Sequence, residues 1–373
     1  MQREYQICTR CIMDTSDPNI VFDRNGICNH CRNYDNIAKR HLLSSPEREK
    51  RLEEVITKIK ESGKNKDYDC VLGLSGGADS SYTAYLVKKF GLRALVVCLD
   101  NGWNTEIAVK NIENIVKKLD FDLYTYVIDW KEFKDLQRSF FKASVVDIEI
   151  LTDHAITALL YKVAAKRGIK YILSGGNIVT ETIMPISWSH RKSDLRNIKA
   201  IQRLFGTKKI KSFPTAGPLK LAIYRCVNEI KMVNPLDYVS YIREKAMAIL
   251  EKELGWRRYG RKHGESLFTK FFQNYILPVK FGIDKRRGHY STLICSGQMT
   301  REEALKAMNE ELYSPDELKE HKEYVIKKLG FSKDEFEEIM KLPIKSHYDY
   351  LTDEVMCDVA AKIESLWARL FGN

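Results

Sequence analysis

Residues 71–80 decide the fold, and they read Val71-Leu72-Gly73-Leu74-Ser75-Gly76-Gly77-Ala78-Asp79-Ser80. Residues 71–74 predict a buried strand, and apolar residues at helical spacing follow Ser80. Glycines let the backbone approach an anion closely, and the amino end of a helix directs N–H groups toward it. The Ser75 and Ser80 hydroxyls add donors, whereas the charge of Asp79 suits a bridging Mg²⁺ or a loop cap better than direct phosphate contact. The stretch therefore predicts an anion-binding loop between a strand and a helix.

Short apolar runs alternate with amphipathic helices on both sides of this loop. The alternation predicts an α/β fold with a parallel, doubly wound sheet, whose ligands bind at the carboxyl ends of the strands. Two further loops end predicted strands there, although each alone is also compatible with an ordinary turn. Their polar residues and glycines are Asp100, Asn101 and Gly102, then Ser174, Gly175, Gly176 and Asn177, with Glu181 beyond. The predicted strands are 70–74, 94–99, 123–128 and 171–173, and the predicted helices are 80–90, 106–119 and 153–167.

Four cysteines near the start form two C-x-x-C pairs, Cys8 with Cys11 and Cys28 with Cys31. In a chain expected in the cytoplasm, a disulfide framework is disfavoured. Two such pairs fill the tetrahedral shell of one Zn²⁺, and a filled shell predicts a structural zinc ribbon. An iron–sulfur cluster and a redox dithiol are the alternatives.

The composition predicts a folded, cytoplasmic protein of more than one domain. Its 373 residues are 44% hydrophobic and 30% charged, and no apolar run approaches the ~20 residues of a membrane span. The first residues lack the apolar region of a secretory signal. Residues 190–290 contain 23 Lys and Arg against 8 Asp and Glu. Such a block suits a polyanionic ligand, such as a nucleotide, a nucleotide-linked metabolite or an RNA, or is a solvated basic surface.

The loop Ser75-Gly76-Gly77-x-Asp79-Ser80 resembles the pyrophosphate-binding PP-loop of ATP pyrophosphatases, a superfamily that includes GMP, NAD and asparagine synthetases. The resemblance implies an adenine-nucleotide α-hydrolase-like fold, ATP and Mg²⁺ as cofactors, and cleavage between the α and β phosphates. It implies catalytic roles for Ser75, Asp79 and Ser80. The implied nucleotide contacts are Ser75, Gly76, Gly77, Asp79, Ser80, Asp100, Asn101, Gly102, Ser174, Gly175, Gly176, Asn177 and Glu181.

Motifs along nearly the whole chain resemble the N-acetyl sugar amidotransferase family, the WbpG and PseA proteins of surface-glycan pathways. This resemblance implies an ATP-dependent ligase that converts an N-acetyl group of an acidic, nucleotide-linked sugar to an acetamidino group. The implied route is an adenylated imidate, with release of AMP and pyrophosphate, and the implied pathways make lipopolysaccharide O-antigen or flagellin glycans containing pseudaminic acid. The motifs lie at 8–15, 26–31, 186–188, 194–196, 284–287 and 296–305.

The family also implies partners. No cysteine lies in a glutaminase motif, so the resemblance implies a separate glutaminase subunit as the ammonia source, with a cyclase-like barrel subunit beside it. The basic middle of the chain is assigned to the acidic sugar, and a solvated surface is the other interpretation. The assigned residues are Trp188, His190, Arg191, Lys285, Arg286 and Arg287, with Lys192, Arg196, Arg257, Arg258, Arg261 and Lys262 as further basic candidates.

The predicted organisation is a zinc module (1–40), a linker helix (41–67), a PP-loop domain (68–185), a basic substrate-binding region (186–298) and a helical C-terminal segment (299–373). Two other functions stay open. A PP-loop tRNA-thiolating enzyme suits the basic charge, but the PP-loop domain contains no C-x-x-C, and nucleic acid is not the expected partner. A non-catalytic zinc-ribbon binding protein leaves the PP-loop unexplained.

Overall fold

Five parallel strands form the central sheet of the computed structural model, which describes residues 4–42, 44–259 and 264–371. The strand order is β3-β2-β1-β4-β5, so β1 and β4 are neighbours at the point where the order reverses. The predicted parallel sheet is confirmed. The strands are β1 (Cys70–Gly73), β2 (Ala94–Asp100), β3 (Asp122–Val127), β4 (Tyr171–Leu173) and β5 (Lys231–Val233).

Helices cover both faces of this sheet and continue to the C-terminal end of the described chain. The helices at the C-terminal end confirm the predicted helical segment. In the described residues the helices are α1 (Asn29–His41), α2 (Ser45–Gly63), α3 (Ala78–Lys89), α4 (Glu106–Leu119), α5 (Trp130–Ala143), α6 (Ile150–Lys166), α7 (Ile178–Glu181), α8 (Leu195–Phe205), α9 (Pro218–Cys226), α10 (Arg243–Ile249), α11 (Leu267–Phe271), α12 (Arg286–Cys295), α13 (Arg301–Met308), α14 (Pro315–Leu329), α15 (Lys333–Lys341) and α16 (Glu354–Phe371).

Successive strand residues are buried on opposite faces of the sheet. Leu72 and Val96 pack into the core that contains the apolar residues of α3 and α4. Val71 and Leu95 pack into the core that contains those of α6 and α9. Because both faces are covered there, the central strands β1 and β2 read as continuous apolar runs rather than as an alternating pattern.

Helices α5 and α6 are two of the helices that differ from the sequence prediction. The pattern 153–167 predicted the start of α6 three residues late, since the helix begins at Ile150. The Ile150 N–H donates a hydrogen bond to the carboxylate of Asp147 at 3.2 Å, which stabilises this earlier start. Helix α5 was not predicted, although Asp129 caps it by accepting from the Glu132 N–H at 3.0 Å. Both helices carry residues that contact the middle of the chain.

The segment that contains Cys8, Cys11, Cys28 and Cys31, called the four-cysteine module below, precedes the sheet in the chain. Helix α1 packs against α12, and α12 leads directly into α13. Among the described helices, none combines the length and apolar character needed to cross a membrane.

Candidate active site and four-cysteine centre

Residues 75–80 form the end of the loop between β1 and α3 together with the first residues of α3, and they are held by their own hydroxyl groups. The Ser75 N–H donates to Ser80 Oγ at 3.3 Å, and the two hydroxyl oxygens lie 3.1 Å apart. The Gly77 N–H donates to Ser75 Oγ at 3.3 Å. Since α3 begins at Ala78, the loop lies at a helix amino end, where N–H groups and the positive end of the helix dipole favour an anion.

Two glycines allow the loops to pack closely. Gly76 has a φ of +81°, and a Cβ there would lie 2.7 Å from the carbonyl oxygen of Ala108. A Cβ on Gly175 would lie 2.6 Å from the backbone nitrogen of Ser80. The loop after β4 therefore rests on the backbone where α3 begins, at the reversal of strand order where ligands of such sheets bind.

Two tyrosines from distant parts of the chain reach the same loop. The Tyr241 hydroxyl donates to the Asp79 carboxylate, and the Tyr259 hydroxyl accepts from the Ala78 N–H at 2.9 Å. Burial raises the pKa of both hydroxyls, and a nearby carboxylate raises each further, Asp79 for Tyr241 and Glu265 for Tyr259. Both tyrosines are therefore neutral at physiological pH and available as hydrogen-bonding groups.

A cavity of about 460 Å³ opens between these loops, within the size range of small-molecule sites. Arg243 and Lys285 are the basic side chains among its lining residues. Mg²⁺ is usually held by one or two carboxylates together with substrate phosphates. Asp79 and Glu181 fit that role, because both are carboxylates that line the cavity. The acidic lining residues are Asp79, Glu149, Asp153, Glu181 and Glu265.

Most of the residues assigned to the nucleotide line this cavity. Four of them do not line it: Gly76, Asp100, Gly102 and Asn177. The carboxylate of Asp100 accepts a hydrogen bond from the Gly102 N–H at 2.8 Å, and the side chain of Asn177 caps α7. Their contact with a nucleotide stays a prediction, as does that of the others. The assigned residues that line the cavity are Ser75, Gly77, Asp79, Ser80, Asn101, Ser174, Gly175, Gly176 and Glu181.

The four cysteines form one buried cluster, with all Sγ atoms within 4.8 Å of one another. The Sγ separations are 3.6 Å for Cys11–Cys28, 3.7 Å for Cys28–Cys31 and 3.9 Å for Cys8–Cys31. A tetrahedral ion with metal–sulfur bonds of about 2.3 Å places its sulfurs roughly 3.8 Å apart. The residues therefore fit one Zn²⁺. In the described ranges, no other group of three or more Cys, His, Asp or Glu side chains comes this close together.

Backbone N–H groups also point at these sulfurs. Those of Cys11 and Cys28 approach the sulfur of Cys8 at 3.4 and 3.3 Å, and that of Met13 approaches the sulfur of Cys11 at 3.4 Å. Donors of this kind stabilise thiolates, which are the form that binds a metal. Cys295 lies beside the cluster, with its sulfur 3.7 Å from that of Cys31.

Two segments of the chain match known protein families. Residues 48–184 match the family described as NAD synthase, and residues 265–364 match the family described as LPS biosynthesis protein WbpG-like, C-terminal domain. The chain thus combines a segment similar to NAD synthase, which contains the PP-loop, with a segment similar to the C-terminal domain of WbpG-like proteins. No curated protein matches it.

Several solved structures resemble this chain at low sequence identity. NMN synthetase from Francisella tularensis is 14% identical, with a TM-score of 0.34, over 81% of this chain and 98% of that chain. NH3-dependent NAD synthetase from Campylobacter jejuni is 18% identical, with a TM-score of 0.29, over 57% and 94%. A predicted subunit of tRNA methyltransferase from Methanocaldococcus jannaschii is 17% identical, with a TM-score of 0.28, over 48% and 75%.

Both matched segments contribute residues to the wall of the cavity. Glu149, from the NAD-synthase segment, accepts hydrogen bonds from Gln273 at 2.9 Å and from Lys285 at 3.2 Å. Gln273 and Lys285 belong to the WbpG-like segment, and all three residues line the cavity. The two segments are those of an ATP-using PP-loop enzyme of the ligase type, and they meet at one site.

Lys285 is the one residue assigned to the sugar that lines the cavity, among those the structure describes. Arg286 binds Asp284 at 2.7 Å and the carbonyl oxygen of Glu310 at 2.8 Å. Arg287 binds Asp14 at 3.0 Å, on the four-cysteine module. The two arginines therefore hold parts of the chain together, and their assignment to a sugar stays a prediction.

The other sugar candidates lie away from the cavity. Trp188 is buried, and His190 pairs with Asp194 at 2.8 Å while its ring stacks on His347. Arg191 is exposed outside the cavity. The further candidates Arg261 and Lys262 lie outside the described residues.

Sequence reasoning did not select several residues that line the cavity. Glu149, Tyr259 and Glu265 have no motif of their own, and the contacts of Tyr241 and Tyr259 with the PP-loop span 162 and 181 residues. Arg243 lay within the basic middle of the chain without being singled out. The one feature that could have pointed to Arg243 is its place in the chain, between the segment that matches NAD synthase and the segment that matches WbpG-like proteins.

Proposed function

We propose that this protein is an ATP-dependent N-acetyl sugar amidotransferase. It would convert an N-acetyl group on an acidic, nucleotide-linked sugar to an acetamidino group, in the biosynthesis of surface polysaccharide or flagellin glycans. The observation that carries the proposal is the shared cavity, in which an NAD-synthase segment with a PP-loop meets a segment of the WbpG-like family, whose description refers to LPS biosynthesis.

The first step activates a poor electrophile. An acetamide carbon resists ammonia because nitrogen donates electron density to it, and its oxygen is a poor leaving group. In the proposed step the amide oxygen attacks the α-phosphorus of ATP, the bond between that phosphorus and the bridging oxygen breaks, and pyrophosphate leaves. The product is an O-adenylated imidate that carries a good leaving group.

Residues of the PP-loop would assist this departure. The amino end of α3 and the hydroxyls of Ser75 and Ser80 are positioned for an anion, so they would stabilise the charge that develops on pyrophosphate. Asp79 and Glu181 would hold Mg²⁺, which supplies Lewis-acid stabilisation to phosphate oxygens when bound. Arg243, a cation on the same cavity wall, would add charge for the same purpose.

The second step forms the new carbon–nitrogen bond. Ammonia adds to the imidate carbon, a proton leaves nitrogen, the carbon–oxygen bond breaks, and AMP departs with the former amide oxygen. No side-chain nucleophile is required, so the main work of the site is to align substrates and exclude water. We propose a separate glutaminase subunit as the ammonia donor, with a cyclase-like barrel subunit as its companion.

The tRNA-thiolating alternative needs a reactive sulfur near the nucleotide. Cys98 lines the cavity, but burial raises the pKa of its thiol to about 11, so it remains protonated near pH 7. The other cysteine of the sheet, Cys70, is buried in β1. Neither has the exposed, low-pKa character of a sulfur-transfer cysteine.

The test is mass spectrometry of products after incubation with Mg-ATP, ammonium and a panel of nucleotide-linked diacetamido acidic sugars. An amidinated sugar is lighter than its substrate by about one mass unit, because NH replaces oxygen, and AMP and pyrophosphate should form in equal amounts. Asp79→Ala should form neither product, and Glu302→Gln, an exposed change outside the cavity, should behave as wild type. ATP cleavage to AMP that requires tRNA, with every sugar unchanged, would replace this proposal by the RNA-modifying one.

A further inference from the structure

The motif 296–305 has no role in the chemistry described so far, yet it contacts both the segment at the ATP cavity and the four-cysteine module. Its first residues form a turn after α12, and the capping box of Thr300 and Glu303 begins α13. Two of its side chains, Gln298 and Arg301, make hydrogen bonds to different parts of the chain. Gln298 reaches the cavity wall, and Arg301 reaches the four-cysteine module.

Arg301 holds the backbone of the first cysteine pair. Its guanidinium donates from Nε to the carbonyl oxygen of Cys11 and from a terminal nitrogen to that of Cys8, both at 3.1 Å. Helix α12 adds contacts to the same loop, since Ser291 Oγ accepts the Ile12 N–H at 3.2 Å and Arg287 donates to the Ile12 carbonyl oxygen at 3.0 Å. The position of this turn is therefore tied to the position of the cysteine loop.

Gln298 holds the backbone on the other side. Its side-chain oxygen accepts the Arg243 N–H at 3.0 Å, and its side-chain nitrogen donates to the Tyr241 carbonyl oxygen at 3.2 Å. The Tyr241 hydroxyl donates to the Asp79 carboxylate, and Arg243 lines the cavity beside the PP-loop. One amide side chain thus fixes the segment that carries both groups.

We propose that Gln298 and Arg301 are positioning residues that couple metal binding at the four cysteines to ATP binding at the PP-loop. With a metal bound, the cysteine loop presents the Cys8 and Cys11 carbonyls to Arg301, and the turn holds Tyr241 and Arg243 against the ATP site through Gln298. Loss of the metal loosens the cysteine loop, because the bonds between the ion and the four sulfurs contribute to the folding of the loop. The inference rests on the proposed ATP site but not on which sugar is amidinated.

The coupling has a quantitative consequence. Gln298→Met fills similar space but removes both hydrogen bonds, so the affinity for Mg-ATP should fall about tenfold while zinc content stays at wild-type level. Removing zinc from wild type should weaken ATP binding by a similar factor. Removing zinc from the Gln298→Met protein should weaken it little further, because the connection is already broken.

The experiment measures binding of α,β-methylene-ATP, which resists cleavage, by titration calorimetry in Mg²⁺, together with zinc content and thermal denaturation. The full-length protein is used as wild type, Gln298→Met, Arg301→Lys and Glu302→Gln, with and without prior zinc chelation and dialysis. Arg301→Lys should weaken nucleotide binding although it lies outside the cavity lining, and it supplies the test if Gln298→Met fails to fold. Glu302→Gln, on the same helix end, should match wild type in every measurement.

Two results would overturn the coupling. One is nucleotide affinity in both Gln298→Met and Arg301→Lys equal to that of wild type. The other is zinc removal that weakens wild type and Gln298→Met by the same factor, which would show independent effects. Absence of nucleotide binding by zinc-loaded wild type is a different result, and it would refute the proposed ATP site itself.

Discussion

Gly175→Ala should disrupt the ATP site through a steric effect on two backbones. The added Cβ would lie 2.6 Å from Ser80 N, 2.8 Å from Ser80 Cα and 2.9 Å from Asp79 C. These are backbone atoms at the start of α3, so no side-chain rotation relieves the contact, and the loops must separate by roughly 0.8 Å to reach ordinary contact. We expect a stability loss of about 1–3 kcal/mol and a fall in ATP turnover of up to about a hundredfold, because catalytic groups tolerate little displacement.

Gly176→Ala is the matched control for fold stability only, because Gly176 itself lines the cavity. Its Cβ would meet no atom closer than 3.5 Å, the distance to Asn234 Oδ1, so it fits without movement. Both variants are compared by thermal denaturation, by calorimetric titration with Mg-ATP and by pyrophosphate release. Wild-type nucleotide affinity and turnover in Gly175→Ala, or equal losses of stability in the two variants, would refute the argument that this close approach shapes the site.

Three other perturbations separate the roles of the site, the cysteine cluster and the buried histidine. Asp79→Ala should abolish pyrophosphate release while leaving the thermal midpoint near that of wild type, and a large loss of fold would contradict its assignment. Cys8→Ser should lower zinc content and stability together, measured by metal analysis and denaturation, and full zinc retention would contradict the four-sulfur site. Burial lowers the pKa of His347 to about 3, so the unfolded chain binds its proton first as pH falls below about 6.5, and stability is lost between about pH 6.5 and pH 3. For this one group the loss is about 2 kcal/mol between pH 7 and pH 5, so the unfolding free energy of His347→Gln, from denaturant titrations, should fall about 2 kcal/mol less than that of wild type over this range. An equal fall in the two proteins would contradict the assignment.

The sequence allowed prediction of what depends on local pattern. Residues 71–80 combine an apolar strand, glycines and a helix start, so the loop and its place on the sheet follow from short-range chemistry. The cysteine spacing likewise predicted a cluster whose separations fit one tetrahedral ion. The strand β5 was missed, because Lys231–Val233 is three residues long and largely exposed, and its pairing with β4 is what defines it.

Other features arise only from tertiary contact. Tyr241 and Tyr259 reach the PP-loop across more than 160 residues, and nothing local marks either tyrosine as part of a site. Charge alone also could not separate Lys285, which lines the cavity, from Arg286, which binds Asp284 and backbone carbonyls. The role of a basic residue depends on which partner the fold provides, and the basic segment contained both kinds.

The central claim, that the amide oxygen of the sugar attacks the α-phosphorus of ATP, has one direct test. The sugar substrate is prepared with ¹⁸O in its acetamido carbonyl and is incubated with Mg-ATP and ammonium in ordinary water. The AMP that forms is examined by mass spectrometry. The account predicts one ¹⁸O atom in each AMP that accompanies an amidinated sugar. AMP without the label, formed together with amidinated sugar, would contradict the adenylated imidate.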